Sequence, residues 1–480
     1  MAIPSKTLPQ EALKANRPRP WLPGAIRLWA LSLLSLHLAA VQLPEESAWS
    51  LWPYTWLPGW LGWLLALLAG ALVISPVNHG FSRLLGRLWL AWPARQRRQS
   101  WFAAVALLAG VCFWLARLGH LRWGDGYMLS VALSYPDLEL RVVYNWQAPL
   151  TVFLHQRLWQ FVADPLLGWP VEYVYAAISI LCGMIFVYLL LNFSARLGRD
   201  TLEAAVLAGL MLTTGSIQLF FGYVENYTIV SLILLATLLL AWRALQGELP
   251  PVWPVVALAL ANAFHPSTVF LWPALGLLSY LCWKRGWVSV KGAVVQTILP
   301  PLLVGGGVLA LMESGQHGAS ALLGVDRPGG GDGIWFTPLF EATTEWQRYT
   351  MFSAAHLLDW LNLHLLISPF GLPLILFCLA ALDQAELKRL EDRDFAIFLG
   401  AMSGLYLLFT WVWNPDYGAQ KDWDLFAPSA FVYTLWAGYL LVHTLGDWQK
   451  LKEAGLLIIL VSLLHTGAWI FTNTQPLPHN

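Results

Sequence analysis

Residues 171–192 read VEYVYAAISILCGMIFVYLLLN, an apolar stretch whose single charged side chain, Glu172, stands at its start. A helix needs about 20 apolar residues to cross the hydrocarbon core of a bilayer. The stretch therefore predicts a transmembrane helix, and comparable stretches recur along the whole chain. The sequence predicts an all-α, polytopic membrane helix bundle.

The composition of the 480 residues agrees with this interpretation. Hydrophobic residues make up 58% and charged residues 12%, with mean hydropathy +0.57, whereas soluble domains carry about 25% charged residues. The 29 Trp, 22 Phe and 15 Tyr suit helix ends at lipid headgroups. Lys and Arg balance Asp and Glu at 28 each, which argues against a nucleic-acid partner. The four cysteines lie in apolar runs and indicate neither a disulfide framework nor a zinc site.

About thirteen stretches are candidate membrane spans. They lie near residues 24–43, 57–75, 101–119, 171–192, 201–219, 227–246, 251–265, 267–283, 292–312, 366–382, 395–412, 426–445 and 455–472. Two short helices are expected to meet at His265-Pro266, because the residue before a proline disfavours helical geometry. A single bent helix there would invert the topology of everything downstream.

The basic residues support this topology. With a cytoplasmic N-terminus, 21 of the 28 Lys and Arg fall on the inner side, as the positive-inside rule requires. We expect residues 1–100 to form a cytoplasmic tail with a two-helix addition, 101–312 the transmembrane core, and 366–480 the C-terminal spans. The first span is long and no cleavage site follows it, which favours a retained anchor over a signal peptide.

Two outer segments are long, residues 120–170 and 313–365. The first predicts helical pieces at the membrane interface, anchored by Trp123, Tyr135, Tyr144, Trp146, Trp159 and Trp169. In the second, the Gly-rich residues 328–333 predict a mobile loop rather than a phosphate cradle, since no Lys-Ser/Thr pair or helix start follows. Residues 352–365 predict an amphipathic helix on the outer leaflet, with polar positions at His356, Asp359, Asn362 and His364.

Four polar clusters coincide with helix ends on the predicted outer face. They are residues 123–127 (WGDGY), 222–227 (GYVENY), 262–267 (NAFHPS) and 414–424 (NPDYGAQKDWD). Random loops would distribute such groups over both faces, whereas the predicted inner loops hold mostly Arg and Lys. The simplest interpretation is one outward-facing site, which requires the clusters to converge in space.

Each cluster also has a purely structural explanation. Asp125 between glycines is typical of a turn, and Glu225-Asn226 suits a solvated helix end or an N-cap. His265 before proline fits a short turn, and residues 422–424 fit a solvated loop. The functional interpretation rests on the free energy of a charge in an apolar environment. A carboxylate that follows fully apolar helical turns is unfavourable unless it contacts a ligand, water or a cation.

These residue types suit group transfer from a phosphate-linked donor. Asp125 would accept the proton of an acceptor hydroxyl as general base, while Lys421 and His265 would neutralise the donor phosphate. Asp422 and Asp424 form a D-x-D pair, a common pattern that can hold Mg²⁺ or Mn²⁺ against phosphate oxygens. The predicted substrate-binding residues are Tyr127, Tyr223, Glu225, Asn226, Tyr227, His265, Lys421, Asp422, Trp423 and Asp424.

The sequence resembles the GT-C superfamily of polyprenyl-phosphate-sugar-dependent glycosyltransferases, such as the protein O-mannosyltransferases and the aminoarabinose transferases. In those families the first large outer loop carries a catalytic acid, often as Asp-Glu, then an aromatic residue and a Pro-Leu stretch that opens the next helix. Here residues 125–127 (DGY) are followed by residues 148–150 (APL), and the match covers mainly residues 101–240. Gly126 replaces the second acid, and three spans precede the loop where those families typically have one.

The resemblance implies a lipid-linked sugar donor and a hydroxyl acceptor on a lipid, a glycan or a protein, in contact with membrane lipids. The alternative is a lipid or sugar transporter or flippase without catalysis. Transporters tend to keep ionisable groups inside their spans, and the predicted spans hold almost none. A third alternative, a non-catalytic scaffold, does not explain why acidic residues cluster on the predicted outer face. The short loops favour a bacterial inner membrane, with the site on its outer face.

Overall fold

The structure is a computed structural model that describes residues 20–89, 98–324, 335–382, 390 and 392–476. Within these ranges the backbone forms twenty α-helices and no strand, apart from one isolated antiparallel bridge between Phe336 and Trp413. The all-α prediction is therefore confirmed for the described part of the chain. The Gly-rich residues 328–333 lie outside the described residues.

The helices follow one another along the whole chain. In order they are α1 (Trp21–Ala39), α2 (Glu45–Ala48), α3 (Gly59–Ala71), α4 (Ser75–Trp89), α5 (Arg98–Leu115), α6 (Gly126–Leu133), α7 (Pro149–Leu158), α8 (Asp164–Leu167), α9 (Val171–Leu197), α10 (Thr201–Leu212), α11 (Thr228–Leu245), α12 (Val252–Phe264), α13 (Trp272–Lys284), α14 (Val290–Ser314), α15 (Ala319–Leu322), α16 (Ala354–Ile367), α17 (Gly371–Ala381), α18 (Arg393–Val412), α19 (Trp423–Thr444) and α20 (Trp448–Asn473).

Eight of these helices are long and apolar enough to cross a membrane, namely α1, α5, α9, α11, α14, α18, α19 and α20. Two further pairs, α3 with α4 and α16 with α17, are bent by 93° and 94° and would raise the number to ten if each pair were one span. The predicted count of thirteen is not confirmed, although every predicted span contains helix in the structure.

The difference arises from helices that stop early. Helix α10 has 12 residues, which span only about 18 Å. It ends where the hydroxyls of Thr213 and Thr214 turn back to the carbonyls of Gly209 and Met211, at 2.8 and 2.9 Å. Such side-chain bonds compete with the continuing helix. A six-residue 3₁₀ helix follows instead.

The predicted break at His265-Pro266 is present. Helix α12 ends at Phe264, His265 is extended with φ −153° and ψ 128°, and a 3₁₀ helix over Pro266–Leu271 leads into α13. The proline therefore separates two short helices, as the restriction on the preceding residue requires.

The outer segment 120–170 consists of short helices, as predicted, but two of its aromatic residues are not surface anchors. Trp123 and Trp159 are each only 6% exposed. The indole of Trp123 donates to Asn473 Oδ1 at 2.7 Å, and that of Trp159 donates to the carbonyl of Trp169 at 3.0 Å. The Trp123 ring therefore fastens the segment to α20, whereas the Trp159 bond lies within the segment.

The predicted amphipathic helix 352–365 appears as α16, but its polar residues mostly face the protein. His356, Asn362 and His364 are buried. Asn362 accepts a hydrogen bond from the Ser50 hydroxyl at 2.8 Å, and His364 is bonded to Tyr433 OH at 3.1 Å. These contacts satisfy polar groups that we had expected to face water.

Helix α19 forms the centre of the bundle. Its most apolar 18-residue window is 94% buried, against 11% for the peripheral helix α14. Near the C-terminal end of α19, the carbonyl of Val442 accepts a hydrogen bond from Arg199 at 2.9 Å. Arg199 also pairs with Glu203 at 2.6 Å, so this end of the central helix is tied to α10.

The N-terminal helices pack against the last helix, α20. Arg27 pairs with Glu453 at 3.2 Å, and His37 Nε2 lies 2.9 Å from His465 Nδ1. Both imidazoles are 2% exposed. The expectation that the spans hold almost no ionisable groups therefore needs correction, because folding pairs two histidines that are 428 positions apart.

Candidate active site

Residues 116–125 connect α5 to α6, and the end of this connection brings the first polar cluster, residues 123–127, against two others. Gly124 has φ +51°, a conformation that glycine adopts without penalty. Its N–H donates to the carbonyl of Lys421 at 2.8 Å. Asp125 is half-buried at the start of α6, and its backbone N–H donates to the Glu225 carboxylate.

The space around Gly124 shows how closely the acids approach. A Cβ atom at this position would lie 2.5 Å from Glu225 Oε1 and 2.8 Å from Asp424 Oδ2. These distances are below any van der Waals contact, so the absence of a side chain allows the two carboxylates to approach. Three of the predicted clusters therefore meet at one point.

Residues 414–424 contribute two carboxylates by different routes. Asp422 Oδ2 accepts a hydrogen bond from the Tyr417 N–H at 2.8 Å. Asp424 lies in the first turn of α19, where a helix N-terminus favours negative charge. Its Oδ2 is buried and has no hydrogen-bond partner among the described residues, which leaves an acceptor directed at the junction with Gly124.

The fourth cluster joins through ring packing. The His265 imidazole lies 4.7 Å from the Tyr227 ring, centroid to centroid, and His265 Nδ1 accepts the Ser267 N–H at 3.2 Å. Burial lowers the pKa of His265 to about 3, so the ring is uncharged at neutral pH. Contact of His265 with a substrate stays a prediction. The neutral ring does not carry the positive charge that we expected to neutralise the donor phosphate.

The surroundings of the junction raise the pKa of its carboxyl groups. Burial raises the pKa of Asp125. Burial, and then the neighbouring carboxylates of Asp424 and Asp125, raise the pKa of Glu225 well above its ordinary range. Burial and Asp424 act in the same direction on the pKa of Asp422. In the described part of the chain no Lys, Arg or His forms an ion pair with these four acids.

The other predicted substrate-binding residues differ in accessibility. Tyr127 is 54% exposed on α6, and Lys421 is half-buried. Tyr223 and Trp423 are buried and pack edge to face with ring centroids 5.3 Å apart. Asn226 donates to Glu225 Oε2 at 3.4 Å. Contact of these residues with a substrate stays a prediction.

Sequence reasoning missed two tyrosines near the acids. Tyr175 of α9 stacks on His155 at 3.8 Å and is within electrostatic range of Glu225 and Asp125. Its buried hydroxyl has no hydrogen-bond partner among the described residues. Burial raises the pKa of Tyr417 to about 12, so its hydroxyl stays protonated. Tyr417 lies inside a predicted cluster, whereas nothing in the apolar span around Tyr175 distinguishes that residue.

The D-x-D hypothesis concerns a divalent cation. Among the described residues, no group of three or more His, Cys, Asp or Glu side chains is arranged to hold a metal ion. The carboxylates of Asp422 and Asp424 supply hard oxygen ligands of the type that Mg²⁺ and Mn²⁺ prefer. The cation stays a prediction: loss of turnover with EDTA and recovery with Mg²⁺ or Mn²⁺ would support it, and unchanged turnover would remove it.

Comparison with known proteins identifies the fold. No family model matches the chain, and no curated protein matches it in sequence. The crystal structure of ArnT from Cupriavidus metallidurans bound to undecaprenyl phosphate matches with a TM-score of 0.51 and 11% identity, covering 79% of this chain and 78% of that chain. The chain is thus an integral membrane protein with a GT-C-like helix bundle.

Proposed function

We propose that the chain is a membrane glycosyltransferase that moves a sugar from a polyprenyl-phosphate-linked donor to an acceptor hydroxyl on the outer face of the membrane. The observation that carries the proposal is the junction of Asp125, Glu225 and Asp424 within a GT-C-like fold. The match to a protein bound to undecaprenyl phosphate supports a lipid-linked donor.

Asp125 is the proposed general base. The acceptor oxygen forms a bond to the anomeric carbon while its proton passes to the Asp125 carboxylate. The bond between the anomeric carbon and the phosphate oxygen breaks, and its electron pair leaves with the phosphate. The raised pKa of Asp125 brings the group closer to neutral pH, where a general base combines ionisation with proton affinity.

Glu225 is the proposed positioning group for that base. Its carboxylate accepts the Asp125 N–H and also the N–H of Asn226, at 3.1 Å for the latter. The backbone of the catalytic loop is thus held by a buried acid from a separate segment. Asp424, with its unpartnered oxygen, is available to accept a hydrogen bond from a sugar hydroxyl.

The test is substitution of the base. Asp125→Asn keeps the size of the side chain and the backbone N–H that donates to Glu225, but removes the proton affinity of the side chain, so release of polyprenyl phosphate from lipid-linked sugars should fall at least a hundredfold. Mass spectrometry of the lipids measures this without knowledge of the acceptor. Asp137→Asn, an exposed acid in the same outer segment, is the matched control and should retain full activity.

Two results would contradict the proposal. Full activity of Asp125→Asn, with unchanged gel-filtration profile and thermal stability, would remove the base assignment. Failure of the unmodified protein to consume any polyprenyl-phosphate sugar in the presence of lipid, glycan and protein acceptors would remove the transferase function itself.

One observation favours a transporter or flippase as the second candidate. His37 and His465 form a buried imidazole pair within the spans α1 and α20, and ionisable groups inside spans are typical of transport pathways. A flippase moves the intact donor across the bilayer of a proteoliposome, whereas a transferase cleaves the donor and releases polyprenyl phosphate. The same lipid mass spectrometry separates the two functions.

A further inference from the structure

Helix α4 lies at the end of the bundle opposite the junction. Its Asn78 donates to the carbonyl of Glu453 near the start of α20, at 3.1 Å, whereas the loop that carries Asp125 is bonded to Asn473 at the other end of that helix. Glu453 and Asn473 are 20 positions apart in α20, a rise of about 30 Å. This rise equals the hydrocarbon thickness of a bilayer, about 30 Å, so α4 and the junction lie at opposite membrane surfaces.

A sharp bend sets the direction of α4. Helices α3 and α4 meet at an angle of 93°. Helix α3 exposes Trp63, Leu67 and Leu68 by 57 to 66%, as a helix in contact with hydrocarbon does. A helix that turns through a right angle from such a neighbour runs along the membrane surface rather than across it.

The described residues of α4 form three distinct faces. Asn78 and Ser82 are buried against the protein. Val77, Phe81 and Leu84 recur at helical spacing on a second face and are exposed by 39 to 60%; they are called the apolar strip below. Arg83 is exposed and lies about 160° around the helix from Phe81. Apolar and basic faces on opposite sides are typical of helices that lie in the interface of a membrane.

The basic face of α4 meets a second cation. Lys452 of α20 lies within electrostatic range of Arg83, and its ammonium group is 4.9 Å from the centre of the Trp448 ring. Neither cation forms an ion pair within the part of the chain that the structure describes. Because like charges repel each other, this arrangement favours an anion beside both side chains.

The carboxylate next to this pair of cations already has other partners. Glu453 Oε1 lies 2.9 Å from His79 Nδ1, and Glu453 Oε2 pairs with Arg27 at 3.2 Å. An anion that bridges Arg83 and Lys452 would therefore come from outside the described residues.

We propose that α4 is a membrane-surface helix that binds anionic phospholipid, with its apolar strip among the acyl chains and with Arg83 and Lys452 paired to the phosphodiester headgroups. Phospholipid supplies both the missing anion and a cover for the apolar strip, whereas a free anion supplies only the first. Trp448, 45% exposed at the start of α20, suits the same headgroup depth. The inference does not depend on the proposed function, because it concerns the opposite end of the bundle.

The experiment measures deuterium uptake by the backbone amides of residues 75–84 in the full chain, reconstituted in nanodiscs. Replacement of half the phosphatidylcholine by phosphatidylglycerol should slow the exchange about tenfold, since each basic side chain near an anionic surface strengthens its attraction about fivefold. The double variant Arg83→Gln/Lys452→Gln should lose this difference. Arg348→Gln changes an exposed arginine beside Gly418, at the end that holds the junction; this matched control should retain the difference.

Two measurements on the unmodified chain identify the anion. High ionic strength should weaken the effect of phosphatidylglycerol, because salt screens exposed charges. Inorganic phosphate added to nanodiscs of pure phosphatidylcholine should leave the exchange unchanged, and protection equal to that from phosphatidylglycerol would replace the lipid by a free anion. Equal exchange in the two lipid compositions, or an undiminished difference in the double variant, would overturn the inference.

The apolar strip has a test of its own. Leu84→Gln keeps a helix-forming residue but removes an exposed apolar side chain, so uptake by residues 75–84 should rise in both lipid compositions. Unchanged uptake in this variant would show that the strip does not enter the acyl region.

Discussion

Gly124 occupies a position where a side chain has neither the required conformation nor space. Its φ of +51° costs a non-glycine residue about 1 kcal/mol, and a Cβ would overlap the carboxylates of Glu225 and Asp424. The acids therefore meet because the loop between them carries a glycine.

Substitution of Gly124 by alanine, compared with a control glycine, should separate the effect of the positive φ from the effect of the missing space. Gly124→Ala is expected to lower both thermal stability and transfer activity, because the methyl group displaces the carboxylates. Gly168→Ala is the matched control, since Gly168 has φ +62° but nothing within 4 Å of its Cβ position. This variant should lose only the stability that a positive φ costs an alanine, and it should keep its activity. Equal losses in thermal unfolding and turnover for both variants would show that the carboxylate contacts are unimportant.

Glu225 gives a pH-dependent prediction. Burial and like charges raise its pKa in the folded state, so its contribution to stability is complete below the ordinary Glu value of about 4.3 and is lost as pH rises through the raised value. Glu225→Gln removes this loss and keeps an acceptor for the Asp125 N–H. Its melting temperature should match that of the unmodified protein near pH 4 and exceed it increasingly as the pH rises, unlike that of the exposed control Glu139→Gln.

Single residues also show where sequence reasoning reaches its limit. Asp125 and Glu225 stood out because they interrupt apolar sequence, and their meeting followed from placing all clusters on one face. Trp123 was expected to be an interfacial anchor, yet it is buried against Asn473. Neither that contact nor the position of Tyr175 can be predicted, because each depends on packing between segments far apart in the chain.

At the level of helices, α20 holds in place the loop that carries Asp125, the proposed general base. Asn473 at the end of α20 accepts the Trp123 indole N–H at 2.7 Å, and its carbonyl accepts the Gly119 N–H at 2.8 Å. A hydrogen bond of this kind contributes about 1 kcal/mol net. Helix α20 therefore orients a loop that begins 350 positions earlier.

A double-mutant cycle measures this coupling. Trp123→Phe and Asn473→Ala should be non-additive by about 1 kcal/mol in unfolding free energy, because each removes the same bond. Both should also reduce turnover. Trp159→Phe combined with Asn473→Ala is the control cycle, since Trp159 bonds to Trp169 instead. Additive effects in the first cycle would mean that the bond does not hold the loop.

The hydrophobic stretches of the sequence predicted the positions of the helices well, but they did not predict the number of membrane spans. Their boundaries near α1, α9, α11 and α18 agree with the sequence within a few residues. Threonines at 213 and 214 were not expected to end α10, and nothing in the apolar pattern distinguished the bent pairs from straight spans. Helix length inside a bundle depends on local side-chain hydrogen bonds and on contacts with neighbouring helices. Mean hydropathy over a stretch of sequence does not show these interactions.

Across the whole molecule, the N-terminal helices are part of the packed bundle. Arg27, His37 and Asn78 all contact α20, with Asn78 donating to the Glu453 carbonyl at 3.1 Å. The sequence interpretation placed these helices in an addition to the core, because the resembled families have fewer spans before the catalytic loop. That division stays a prediction, and the extra helices contact α20, the helix that orients Trp123.

Removal of residues 1–97 should therefore destabilise the remaining chain. Deletion exposes His465 and Glu453, whose partners lie in the removed part, and leaves buried polar groups unsatisfied. We expect loss of a monodisperse peak in fluorescence-detected size-exclusion chromatography, with recovery when residues 1–97 are co-expressed as a separate fragment. A stable, active truncated protein would return these helices to the status of an appendage.

The central helix α19 fixes the distance of Asp424 from the other end of the bundle. Asp424 in its first turn and Val442, held by Arg199, are 18 residues apart, a rise of about 27 Å. One inserted residue between them would swing the carboxylate by about 100° and shift it by about 1.5 Å. A change in the length of α19 would therefore move Asp424 relative to the junction, because the residue count fixes the distance between Asp424 and Val442.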